Sequence, residues 1–128
     1  AVPWHLTTRE LIAEVQRVLT DGGVYAINLI DYGNLGFARA EAATIAAVFE
    51  HVAVIAPPDR IAGRTGGNFV MVGSDQPLPL EAIQERAVER GDDDIVVGDP
   101  ADIEHFIAGA RILTDAFAPV DQLLTPLT

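Results

Sequence analysis

The sequence predicts an α/β domain: about three apolar strands flanked by helices, followed by a helical tail. Three observations carry this. Segments with apolar residues at helical spacing alternate with short, nearly continuous apolar runs. Glycine and proline bound those runs, as they bound strands buried inside a sheet. At 128 residues, 49% of them hydrophobic, the chain can bury one core and does not have the composition of a disordered segment.

Thr7 and Glu10 stand at capping-box spacing, so Thr7 is expected to cap a first helix. Leu11, Ile12, Val15, Val18 and Leu19 fall on one face of it, and Gly22 or Gly23 is expected to end it in the left-handed conformation. Val24–Ile30 then reads as a strand covered on both faces, and Asp31, Tyr32, Gly33 and Asn34 make the turn after it. Leu35–Phe49 is a second helix, with Ala38, Ala42, Ile45 and Phe49 on its buried stripe. Val52–Ala56 is a short strand stopped by Pro57-Pro58. The loop DRIAGRTGG, longer than a tight hairpin turn, leads into a strand over Asn68–Gly73. Pro77 and Pro79 precede a helix, Leu80–Arg90, with Glu81 as its expected start. Gly91–Asp94 is an exposed acidic break, Pro100–Ala110 a last helix, and RILTDAFAPVDQLLTPLT the tail.

Composition narrows the functions. Nineteen acids against eight arginines, with no lysine, leave a net charge of −11. Phosphate backbones need a basic patch, so the charge disfavours nucleic acid, and no nucleic-acid partner is expected. The charge suits a cationic ligand, although a solvated acidic surface is the simpler reading. The absence of cysteine excludes disulfides and thiolate metal sites and fits a cytoplasmic protein. No apolar run approaches the ~20 residues of a membrane helix, so no membrane contact is expected of this segment. His5, His51 and His105 show no metal-ligand spacing, and Ser74, the only serine, lies in no G-x-S-x-G elbow. No G-x-G-x-x-G turn follows a strand; the Gly63–Gly67 cluster has the wrong context. The only methionine is Met71, which points to an excised fragment or a processed product.

Helix, strand, helix, strand, loop, strand is the order that closes the Rossmann-like sheet of class I methyltransferase-like folds. In that topology the last strand inserts between the other two, giving Val24–Ile30, then Asn68–Gly73, then Val52–Ala56. Residues 1–77 are then the C-terminal half of a Rossmann-like α/β domain, and residues 78–128 a helical tail packed on it. At the residue level, PWHLTTRELIAEVQRVLTDGGVYAINLID, FARAEAATIAAVFEHVAVIAPP, GGNFVMVGSD and LTDAFAPVDQLL, in that order, resemble the C-terminal half of spermidine synthase-like proteins, the aminopropyltransferase family.

The resemblance implies transfer of an aminopropyl group from decarboxylated S-adenosylmethionine to an amine such as putrescine. In the family the catalytic aspartate and the glycine-rich nucleoside loop lie in the half that precedes this region, so the chain alone is expected to be inactive and to hold no cofactor. What it contributes is an amine-side wall. Asn28 stands where the family often carries a glutamine, and otherwise satisfies a strand end. Asp31 and Tyr32 lie at the carboxyl end of their strand, the usual ligand side of open α/β sheets, where Asp31 equally suits an Asx turn. Asp59 follows Pro57-Pro58 where the family often has a tyrosine; it can meet a cationic amine but puts putrescine itself in doubt. Trp4 and His5 are expected at the mouth of the site, or simply packed. Asp115 and Asp121 match the tail motif, with Ala116 replacing a frequent acid, and read as packing with an acidic rim.

Asn28, Asp31 and Asp59 are therefore expected to converge at one side of the sheet. The expected partner is the N-terminal half of the parent, or a second copy joined through the Val24–Ile30 edge or the first helix. Two other readings stand beside the transferase: a non-catalytic acidic α/β module that assembles or binds a partner, and half of an S-adenosylmethionine-dependent methyltransferase.

Overall fold

The structure is a computed structural model that describes residues 8–19, 22–33 and 35–114. Its elements run α1 (Arg9–Val18), β1 (Tyr25–Asp31), α2 (Gly36–Val48), β2 (His51–Ala56), α3 (Pro58–Ile61), β3 (Gly67–Ser74), α4 (Leu80–Glu89), β4 (Ile95–Val97) and α5 (Pro100–Ile107). The sheet order is β1-β3-β2-β4, with every neighbouring pair antiparallel. β1 and β2 therefore run the same way, and their carboxyl ends meet the amino end of β3. This is the closing half of a Rossmann-like sheet, with β3 inserted as the topology requires.

The first cap differs from the expected one. Thr8, not Thr7, occupies the N-cap of α1 and accepts from Leu11 N at 3.5 Å; Thr7 lies outside the described residues. Nor do the glycines end this helix. It stops at Val18, where Leu19 turns extended at ψ 141° and its N–H reaches back to Val15 and Gln16; Gly22 is left-handed, at φ 81°, but lies beyond the end. The sheet also gains β4 and the loop gains α3. A run of three residues and a single helical turn are too short to show a period.

The core lies between one sheet face and α1, α2 and α5. Leu29, Phe69, Met71 and Val54 from the strands pack with Ile12, Phe37, Ile45 and Phe106, and Leu113 joins them. Thr44 Oγ1 accepts from Leu113 N at 2.8 Å, and Leu113 O accepts from Arg9 N at 2.8 Å, so the segment after α5 is tied to both α2 and α1. Arg39 of α2 donates to Phe106 O at 3.0 Å and to Ala108 O, fixing the end of α5.

The other sheet face corrects a further expectation. β1 alternates in burial instead of being covered on both sides. Ala26, Asn28 and Ile30 are exposed, opposite Val72, Val70 and Asn68 of β3. The apolar run predicts a doubly covered strand, but these three positions are exposed among the described residues.

Candidate functional site

The candidate site is the end of the sheet where β1 and β2 finish, because both strands leave there through loops. Asp31, the last residue of β1, is fully buried. Its Oδ1 accepts from Tyr32 N and its Oδ2 from Ala38 N, each at 2.9 Å, and Phe37 N–H adds a third interaction. Burial raises its pKa, and these backbone donors pull it partly back. The carboxylate is spent on the first turn of α2, the Asx-type role. The turn it anchors holds Leu35 at φ 58°, the left-handed region that a branched, fully buried leucine adopts only under constraint.

Tyr32 is 37% exposed and closes on Gly66. A Cβ on Gly66 would stand 2.7 Å from Asp31 O and collide with the Tyr32 ring, so only glycine fits there. Asp59 sits in the first turn of α3, exposed, with Oδ1 3.3 Å from Arg64 Nη1. Its carbonyl accepts from Arg64 N at 2.9 Å, which closes the loop on itself.

Asp31, Tyr32 and Asp59 thus lie at the same end of the sheet, on the loops that leave β1 and β2. Asn28 does not join them. It is mid-strand, paired with Val70, and alternation sends its side chain to the face opposite Asp31. Trp4, His5, Asn34, Asp115 and Asp121 lie outside the described residues.

Arg60 is the residue that sequence reasoning passed over. Its Nη1 donates to Asn68 O at 2.9 Å, and its guanidinium lies 3.0–3.1 Å from where a Cβ on Gly67 would be. Its Nε is buried without a hydrogen-bond partner. The available signal was an arginine inside the glycine-rich loop DRIAGRTGG, where a guanidinium can lie on bare backbone.

On the other side of α3 lies a cavity of about 720 Å³ whose walls include Leu35, Ile61, Val97 and Phe106, with Asp102 and His105 also lining it. A second, of about 550 Å³, lies near Phe49, Leu78 and Ile103 at the amino end of β2, away from the usual ligand side. Glu41, midway along α2, is fully buried with neither carboxylate oxygen partnered. Burial pushes it up to about 8, and burial together with the Glu41 charge raises Tyr25 as well.

Among the described residues no three His, Asp or Glu side chains gather as a metal site, and no helix is long and apolar enough to cross a membrane. No protein-family model matches the sequence, and no curated protein matches it. A solved structure does: the crystal structure of a probable spermidine synthase from Corynebacterium glutamicum ATCC 13032, at 32% identity and a TM-score of 0.79. The match covers 98% of this chain and 46% of that one, so the chain spans about half the length of its relative. In sequence and in fold, then, this chain is spermidine synthase-like over nearly its whole length, and resembles one half of such a protein.

Proposed function

We propose that the chain forms the acceptor-side half of a cytoplasmic spermidine synthase-like transferase and is inactive alone. The observation that carries this is the likeness at 32% identity over 98% of the chain, in a sheet whose β1 and β2 loops gather Tyr32, Asp59 and Arg60 at one end. The reaction is a displacement. The acceptor amine attacks the carbon beside the sulfonium of decarboxylated S-adenosylmethionine, a C–N bond forms, the C–S bond breaks, and methylthioadenosine leaves with the bonding pair. The amine proton passes to a base that this reading assigns to the other half. The role of this chain is to position the amine; holding it in line replaces a bimolecular encounter and removes entropy from the barrier.

The nucleoside needs a glycine turn entering a helix and an acid for the ribose, and the sequence holds no such G-x-G-x-x-G turn after a strand. The purified 128-residue chain should therefore show no heat of binding with methylthioadenosine. Micromolar affinity there would sink the division of labour. The exposed sheet face of Ala26, Ile30 and Val70 favours a second reading, in which the chain is an assembly module. Aminopropyl transfer by the longer protein would decide against that reading.

A further inference from the structure

We infer that the cavity at the amino end of β2 binds a small molecule with an apolar body and a cationic head, whichever reaction the longer protein performs. It lies at the opposite end of β2 from the Asp59 loop, lined by α5 and by the segment that leads into α4. The core residues Phe49, Val52 and Ile103 line it, together with Leu78 and Leu80. Leu80 is seated on bare backbone. A Cβ at Gly98 would stand 2.5 Å from Leu80 Cδ2, so the missing atom gives the leucine its place. The volume, about 550 Å³, falls within the range of small-molecule sites. The sheet order is β1-β3-β2-β4, so a strand added beside β1 meets that edge and not this cavity.

The charge around it is one-sided. Glu50, Asp99 and Glu104 line the cavity, and no arginine does. Asp99 is spent as the N-cap of α5, where its Oδ1 accepts from Ala101 N at 2.9 Å. Glu50 and Glu104 are exposed and enter no ion pair among the described residues. The apolar lining supplies affinity, and the two free carboxylates set the sign of the ligand. They repel an anion and draw in an ammonium.

The probes are 4-phenylbutylamine, 4-phenylbutanol and 4-phenylbutyrate, which share one apolar body and carry a positive, neutral or negative head. Binding to the purified full-length protein carrying this chain is read by calorimetry. The amine should bind at least about tenfold tighter than the carboxylate, with the alcohol between them. Reversing the charge of the head turns an exposed attraction into a repulsion. Glu50→Gln with Glu104→Gln should cut that ratio to about threefold or less. Glu85→Gln with Glu89→Gln on α4, which changes net charge equally, should leave it intact. Ala46→Leu, which adds apolar volume to the lining, should weaken all three probes by at least about fivefold.

No binding of any probe overturns the inference, as does equal or tighter binding of the carboxylate. So does an unchanged ratio in a folded Glu50→Gln, Glu104→Gln protein, whose substitutions touch only exposed side chains. A folded Ala46→Leu protein that binds all three probes as before overturns it too.

Discussion

Asp31 Oδ2 accepts from Ala38 N at 2.9 Å, a bond that ties the last residue of β1 to the first turn of α2. The strand end and the helix start are thereby one unit. A side chain that the family likeness offers to a ligand wall is here a structural clamp, both its oxygens accepting from backbone N–H groups.

Asp31→Ala should leave the buried donor at Ala38, and those at Tyr32 and Phe37, without their acceptor. The expected cost is about 1–3 kcal/mol in chemical denaturation. Asp31→Asn, which keeps one acceptor oxygen, should cost less. Equal stability of Asp31→Ala and the parent would remove the clamp.

Glu41 makes stability depend on pH. Its folded pKa, raised to about 8 from 4.5, means that the folded state keeps a proton which the unfolded chain loses between those values. Folding is favoured by that proton, so the contribution is full below about pH 4.5 and is lost as pH rises through about 8. Glu41→Gln, which cannot ionise, should be more stable than the parent near pH 8 by on the order of a few kcal/mol, with the gap closing toward pH 4.5. Denaturant midpoints at both pH values check this, and a gap that does not change with pH would contradict it.

The long periodic elements were legible because each repeats its signal. Ala38, Ala42, Ile45 and Phe49 are all buried, as their helical stripe required. β3 lies between β1 and β2 as the element order implied. The site was less legible. That Asn28 and Asp31 take opposite faces follows from their odd spacing along a strand, a rule the family likeness concealed. Arg60 gave no periodic signal; its place on Gly67 depends on how the loop closes, which α3 decides and which one helical turn is too short to announce.

Gly66→Ala should disturb the junction of the two loops. Its new methyl would meet Asp31 O and the Tyr32 ring, and neither backbone can retreat without moving β1 against β3. A loss of roughly 1–3 kcal/mol is expected, with increased amide exchange at the Asp31–Gly67 pair. Gly63→Ala is the useful contrast: nothing stands within 4 Å of the new atom, and only its φ of 80° resists the change.

Leu35→Gly sets two effects against each other. Glycine relieves a left-handed φ of 58°, worth roughly 1–2 kcal/mol. It also empties a site that is 2% exposed and lies in the main core, where removal of a leucine side chain costs roughly 2–5 kcal/mol. Packing should win, giving a net loss of melting temperature. A gain would mean that the turn stores more strain than the core returns.

The sheet face bearing Ile30 and Val70 should make the chain self-associate. Ile30 is 53% exposed and Val70 37%, with Ala26 beside them, and among the described residues only β3 pairs with β1. A strand with one unpaired edge and an apolar face offers both backbone groups and apolar area to a second copy. The net charge of −11 opposes this, because two copies repel. Salt screens that repulsion beyond about 8 Å at physiological ionic strength and leaves the apolar attraction in place, so association should strengthen from low to moderate salt. Light scattering across concentrations should show a mass that rises toward a dimer, more steeply in salt. Ile30→Lys with Val70→Lys should hold the mass at the monomer while changing stability by no more than about 0.5 kcal/mol per site, since both side chains are exposed. A monomer at every concentration and salt would show that this face is covered within one chain and needs no partner.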